Sequence, residues 1–348
     1  MFLITILLYI VIAIVVFGVL IFLHEFGHFF TAKLCGVKVN EFAIGMGPAL
    51  FHIQKGETKY SLRLLPIGGY TAMEGEDDDG SSDPRAFVNR PVWQRIIVLV
   101  AGSFMNILTG FVIILIMWVM IHPMPSTMVA KFTQGAVSSA SGLQANDKIL
   151  SIDGAAVHVN VDIMLGLAES DHGRVNMQVL RGGKTVNLSN VQFPTTDDGN
   201  GGKVMLQDFQ VYAQRKTPGN VLSYAFYWTI AMVKLVWVTI VQMFTGRYSV
   251  KDLTGPVGTT AAMGQAATQS PLTLFNLVAI IAVNLGVVNL FPLPALDGGR
   301  LLFVIIEGIR GKPVARKYEG YVHLVGFALL MALMLLVTFN DIFRLIKR

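Results

Sequence analysis

The stretch "IFLHEFGHFF", residues 21–30, places His24, Glu25 and His28 at the C-terminal end of an apolar N-terminal run. On insertion scales each ionisable side chain at membrane depth costs at least about 2.5 kcal/mol. Three of them within one helical turn and a half therefore need a compensating partner. The rest of the chain makes the apolar setting general. Of 348 residues, 53% are hydrophobic and only 14% charged, with a mean hydropathy of +0.58, whereas soluble domains are about 25% charged. Crossing a bilayer takes roughly 20 apolar residues, and four stretches reach that length: about 2–23, 96–121, 275–296 and 320–339. The composition thus predicts an α-helical polytopic membrane protein with four transmembrane helices. "MFLITILLYI" has no basic residues ahead of its apolar run, and no small-residue cleavage site follows it, so this first helix is expected to be retained.

On a helix, His24 and His28 lie one turn apart on one face, and their imidazoles can share one metal ion. With Glu25 they form the H-E-x-x-H pattern, in which two histidines hold Zn²⁺ and the glutamate takes a proton from the attacking water. A catalytic zinc usually has three protein ligands. The other histidines are poor candidates for the third: His52 lies in a strand-like loop, His122, His158 and His172 lie outside, and His323 is in the last span with no neighbouring acid evident in the sequence. Asp297 in "NLFPLPALDGGR" is the better one. Pro292 and Pro294 break the helix there, Gly298 and Gly299 free the backbone, and an acid in unwound backbone at membrane depth marks a functional site. The alternative is an aspartate that only caps the following helix.

This pairing constrains the topology. Both ligand groups sit at the C-terminal ends of their segments, so those segments must run in the same direction, with an odd number of crossings between them. The span at 96–121 supplies one. The apolar segment 221–244, with Lys234 at its centre, no evident acid to pair with it, and Trp228 and Trp237 beside it, is accordingly expected to lie in the outer interface. Basic residues gather from Lys33 to Arg95 and from Arg300 to Lys317. The positive-inside rule assigns both groups to the cytoplasm and leaves 122–274 outside. No single basic patch stands out, so a nucleic-acid partner is not expected. Cys35 is the one cysteine, which excludes an internal disulfide.

Four regions follow: 1–121, with the H-E-x-x-H helix and second span; 126–215, of soluble-domain composition; 216–271, an interfacial helix and connection; and 272–348, with Asp297 and the last span. In 126–215, "GLQANDKILSIDGAAV" resembles the G-L-x-x-G-D-x-I-x-x-I-N-G run of PDZ domains, with Asn146 where Gly is usual and Asp153 where Asn is common. PDZ domains bind extended peptides along a sheet edge. The acidic run "EGEDDDGSSDPR", from Glu74, reads as a solvated loop.

Taken together, "HEFGH", "GMGP", "AGSFMN", "LTGPVG" and "NLFPLPALDGG" resemble the site-2 protease family of intramembrane zinc metalloproteases, of the bacterial regulator-of-sigma-E-protease (RseP) type. The likeness covers nearly the whole chain. It departs in having one PDZ-like unit, where some relatives have two, and "AGSFMN" where Ala-Gly-Pro is usual. It implies Zn²⁺ held by His24, His28 and Asp297, with Glu25 as general base, in the inner membrane near its cytoplasmic side. It also implies a membrane-associated β-hairpin at about 37–65 that offers an edge to substrate, and roles for Asn284 and Asn289 in holding the substrate backbone. The implied substrates are single-span membrane proteins such as anti-sigma factors or remnant signal peptides. Two other classes fit parts of the pattern: a non-catalytic PDZ membrane scaffold, which would be expected to have lost a ligand or Glu25, and a metal transporter, which would carry polar residues along several spans.

Overall fold

The computed structural model describes residues 2–76, 81–121, 123–170, 173–197, 203–244 and 253–346. His122, His172 and the centre of the acidic run lie outside them. The chain divides into two compact units: residues 1–113 with 236–348, and residues 114–235.

In the first unit, α1 (Phe2–Leu34) runs a further turn and a half past the H-E-x-x-H sequence. The hairpin that follows is longer than expected, with β1 at Val39–Lys55 and β2 at Thr58–Met73. Its tip turns at Gly56, which has φ +62°. The pairing is doubled: Ala49–Lys55 face Thr58–Arg63, whereas Glu41–Ile44 face Gly69–Ala72 on one side and Lys59–Leu62 on the other. The glycines of "GMGP" make this possible. Gly45 and Gly47 both have φ +84°, a left-handed conformation that side chains resist, and there β1 bulges and changes partner. The order across the resulting sheet is 49–55, 58–63, 41–46, 69–73, so Gly69–Met73 form an outer edge. This edge lies beyond the hairpin end expected at residue 65.

After α2 (Val92–Met120) and the second unit, the first unit resumes within a long helix and continues through α6–α9, introduced below. The apolar face of α1 packs Ala13 and Leu20 against Met263, Ile281 and Ala282, all at most 9% exposed. By contrast Ile4, Leu7, Val15, Leu329, Leu335 and Phe339 on the first and last helices are exposed, as suits surfaces facing lipid rather than water.

The second unit holds β3 (Met124–Phe132), α3 (Val137–Ala140), β4 (Lys148–Ile152), β5 (Ala155–Ala156), α4 (Asn160–Glu169), β6 (Arg174–Arg181), β7 (Lys184–Gln192), β8 (Thr195–Asp197), β9 (Lys203–Met205), β10 (Phe209–Gln214) and most of α5 (Pro218–Phe244). The main sheet has the order β10-β3-β4-β6-β7 and closes over Val129, Ile149, Ile152, Ile163, Leu167 and Val179. Turn chemistry explains the two departures in the "GLQANDKILSIDG" run. Asn146 sits at φ +71° and Asp153 at φ +45° before Gly154 at φ +82°. Asn and Asp tolerate the left-handed region, and an Asp-Gly pair suits a two-residue hairpin turn.

Lys234 proves to have an acidic partner. Its Nζ lies 3.6 Å from Glu169 at the end of α4, and His158, just before α4, stacks on Tyr227 with ring centroids 4.0 Å apart. The expectation of an unpaired Lys234 missed this because its partner lies 65 residues back along the chain. Much of α5 therefore lies against α4 of the same unit.

The remaining helices are α6 (Pro256–Gln269), α7 (Pro271–Asn289), α8 (Asp297–Arg310) and α9 (Arg316–Ile346). The third apolar stretch, expected to reach 296, ends its helix at Asn289, ahead of Pro292, which lacks the backbone donor a continuing turn requires. Among the described residues, five helices are long and apolar enough to cross a membrane: α1, α2, α5, α7 and α9.

Candidate metal centre

Small residues bring the helices of the first unit into close contact. A Cβ on Gly27 would stand 2.5 Å from the Ala101 carbonyl oxygen, and one on Gly102 would run into the His28 imidazole. On the far side of α2, a Cβ on Gly110 would lie 2.6 Å from Val283, and one on Gly286 would lie 2.7 Å from the Ser103 oxygen. Such contacts are how helices pack where no hydrophobic force separates them from lipid. Residue numbers rise along α1 as they fall along α2, and fall along α7 as they rise along α2. The first and seventh helices are thus parallel, as the pairing of His24 and His28 with Asp297 demands.

Beyond α7 the chain turns irregularly. Leu293 N donates to Phe291 O at 2.6 Å and Leu296 N to Leu293 O at 3.2 Å, and α8 begins at Asp297. Gly298 and Gly299 lie against the backbone of Leu290, Phe291 and Leu293, where a Cβ would collide. The unwound turn and the compact helix start therefore need each other, and together they aim Asp297 at α1.

Three potential ligand atoms converge. His24 Nε2 is 3.2 Å from His28 Nε2, and Asp297 Oδ2 is 3.1 Å from the first and 3.3 Å from the second. Both histidines are buried, at 8% and 7% exposure. The ring orientations are set from behind. His28 Nδ1 donates to the Val98 carbonyl at 2.8 Å, which leaves the Nε2 lone pair pointing into the cluster. His24 Nδ1 meets the Asn106 amide at 3.2 Å, and Asn106 Oδ1 is otherwise unpartnered. With that oxygen turned to the ring it accepts from Nδ1–H, and His24 Nε2 likewise presents a lone pair. Two ring lone pairs and a carboxylate oxygen about 3.2 Å apart, buried without protons to share, repel unless a cation lies between them. Ligands held at about 2.0–2.1 Å in a tetrahedron stand roughly 3.3 Å apart. The cluster fits zinc. Among the described residues it is the one group of three or more His, Cys, Asp or Glu side chains within reach of a single ion.

Glu25 lies beside the cluster, on the wall of a cavity of about 430 Å³ that Tyr70, Thr71, Asp297 and Arg300 also line. Thr71 Oγ1 donates to the Glu25 backbone carbonyl at 3.0 Å, so the outer edge of the hairpin sheet, Gly69–Met73, runs along the wall of this cavity. Glu41 anchors that edge. Burial pushes its carboxyl up, but hydrogen bonds from Ser61, Arg63 and Tyr70 prevail and bring it down to about 2. A larger hollow of about 670 Å³ shares Glu76, Leu99 and Arg300 with the first. Asn284 and Asn289 are half-buried on α7 and line neither. The "AGSFMN" motif gives no sign in the sequence of what Gly102 and Asn106 do, since their contacts with His28 and His24 arise only when α1 and α2 pack.

The comparisons agree with this chemistry. A family profile described as peptidase family M50 matches residues 12–333. A Clostridium acetobutylicum protein that carries the name "putative zinc metalloprotease" is 38% identical over 96% of this chain and 97% of its own. The regulator of sigma-W protease RasP of Bacillus subtilis is 33% identical over 95% and 97%, and the zinc metalloprotease RasP of Geobacillus kaustophilus 31% over 94% and 96%. Near-full-length similarity to zinc metalloproteases, joined to apolar helices and a buried donor cluster that suits zinc, leads to one conclusion: the chain belongs to peptidase family M50 and is a zinc metalloprotease of a membrane.

Proposed function

We propose that this protease cuts single-span membrane proteins within or near the bilayer, in regulated intramembrane proteolysis, with anti-sigma factors or remnant signal peptides as substrates. The reading assigns His24, His28 and Asp297 as zinc ligands and Glu25 as general base. The observation that carries it is the convergence of the three ligand atoms beside Glu25 at the end of a helix whose flanks face lipid. Zinc, when bound, would supply a Lewis acid and lower the pKa of its water towards about 7. The chain's own residues do the rest. Glu25 accepts the water proton and returns it to the leaving amine. A transmembrane substrate hides its peptide groups in its own helix, and the outer edge at Gly69–Met73 offers replacement partners to an unwound stretch, as an added strand would take them. Asn284 and Asn289 would hold the substrate backbone further along. The name of the Bacillus subtilis relative, a regulator of sigma-W, supports a substrate that controls a sigma factor.

The topology we infer has four spans, with the catalytic side towards the cytoplasm of a bacterial inner membrane and the module at 126–215, PDZ-like and acting as a filter for substrates already trimmed, outside it. The parallel α1 and α7 with one intervening α2 support this. So does the pairing of Lys234 with Glu169, which draws α5 along the module. Were α5 to cross, α6 would have to cross back, and its 14 residues extend only about 21 Å, short of the roughly 30 Å of hydrocarbon. With Cys35 replaced by Ala, single cysteines at Asn220 and Gln242 are expected to react with an impermeant reagent from the same, outer side; labelling from opposite sides would overturn the interfacial assignment.

The catalytic reading is tested in proteoliposomes with a model transmembrane substrate. Glu25→Gln is expected to slow cleavage by about 10²–10⁴-fold while zinc content stays at one equivalent. Cleavage at the wild-type rate would remove Glu25 from the mechanism.

A further inference from the structure

We propose that the last helix belongs to the support of the metal centre: His323 on α9 holds Ala295 in the left-handed turn that delivers Asp297. This rests on the assignment of Asp297 as a zinc ligand and goes beyond it.

The described non-glycine residues with positive φ are Asn146, Asp153, Asn190 and Ala295. The first three are residue types whose short polar side chains favour that region. Alanine has no such means, and its Cβ crowds the following carbonyl. Ala295, at φ +71°, is therefore held by its surroundings, and strain of this kind gathers at functional sites when the fold over-determines it. Two contacts from α9 determine it. Ala295 N donates to His323 Nδ1 at 2.9 Å. One turn further along α9, Gly326 lies so close to Pro294 that a Cβ would collide with it. A hydrogen bond and a backbone-close packing contact thus clamp two successive residues of the loop, and Asp297 follows two residues later.

The histidine is set for an acceptor's role. Nδ1 can accept only if the proton is on Nε2, and Glu319, one turn earlier on α9, presents Oε1 3.8 Å from Nε2, on the side where a proton is favoured. Phe303 of α8 covers the ring, with centroids 5.8 Å apart. Residues that orient a metal ligand from outside its coordination sphere typically change affinity by about 10–100-fold when lost.

Zinc dissociation constants of the full-length detergent-solubilised protein, measured by chelator competition, test this with four variants. His323→Leu, which fills the space in an apolar helix but cannot accept, is expected to weaken zinc about tenfold. His323→Asn, whose Oδ1 replaces Nδ1, should stay within about threefold of wild type. Ala295→Gly adopts the turn without strain, so Ala295→Gly with His323→Leu should recover most of the loss; general loosening of α9 would not be rescued by a change in the loop. Unchanged affinity in His323→Leu, or a double variant as weak as His323→Leu, overturns the proposal. If His323→Leu does not fold, a His323→Asn affinity tenfold weaker than wild type overturns it as well. Asp297→Ala is expected to lose zinc binding outright; retention there would instead refute the ligand assignment.

Discussion

The two halves of the metal centre are built in opposite ways. His24 and His28 lie on an uninterrupted helix, where a four-residue spacing alone puts them on one face and where neighbouring helices need only come close. Asp297 sits where regular structure fails, after two prolines, a left-handed alanine and two glycines with no room for a side chain. The histidine half depends on how little fills the space behind it, the aspartate half on how firmly an irregular turn is held. Adding a methyl group should wreck the first, and removing one should leave the second nearly unmoved.

The largest effect is expected at Gly102. An alanine there would place its Cβ against the ring of His28, and that ring cannot swing away without giving up its 2.8 Å bond to the Val98 carbonyl. Overpacking of this kind costs about 1–3 kcal/mol, and here it falls directly on a ligand. Gly102→Ala should lower zinc affinity by more than about 100-fold and reduce the thermal midpoint of the detergent-solubilised protein. A variant that binds zinc normally would mean that α1 and α2 can part by roughly an ångström or more, and the contrast between a rigid and an irregular half would fail.

Next comes Asn106, which orients His24 as Val98 orients His28. Asn106→Leu leaves Nδ1 without a partner and should weaken zinc by about 10–100-fold. Asn106→Asp keeps an acceptor at the same atom and should lose less. Equal affinity in the two variants would show that packing alone fixes the ring of His24, and the chelator competition used for His323 measures both.

These residues mark what could and could not be read from sequence. The H-E-x-x-H spacing, the acid in broken helix at Asp297, and the demand that their two segments run parallel are local or countable features. The structure brings side-chain atoms of His24, His28 and Asp297 within 3.3 Å of one another. Asn106 was out of reach because an amide in an apolar span signals only some interhelical bond, not which one. Glu169 as the partner of Lys234, and Gly69–Met73 as the strand beside Glu25, depend on register and on long-range packing, which no window of residues contains. The doubled pairing of the hairpin was half legible: the glycines of "GMGP" announced a bend, but not that β1 would pair along both flanks of residues 58–63.

Ala295 was the least legible of all, since alanine signals no turn, and it carries the smallest predicted effect. In the wild-type background, Ala295→Gly removes a left-handed side-chain penalty of about 1–2 kcal/mol and adds back roughly 0.5–1 kcal/mol of backbone entropy lost on folding. The two nearly cancel, so zinc affinity should stay within about threefold and the thermal midpoint should barely move. A clear loss would mean that the methyl group itself packs the turn and that its conformation is not a strain held from outside. A clear gain would mean that His323 and Gly326 hold the loop less completely than their contacts suggest, with the strain of the turn still reaching Asp297. Near-neutrality at 295 beside failure at 102 is the outcome that separates a centre made by close approach from one made by a clamped exception.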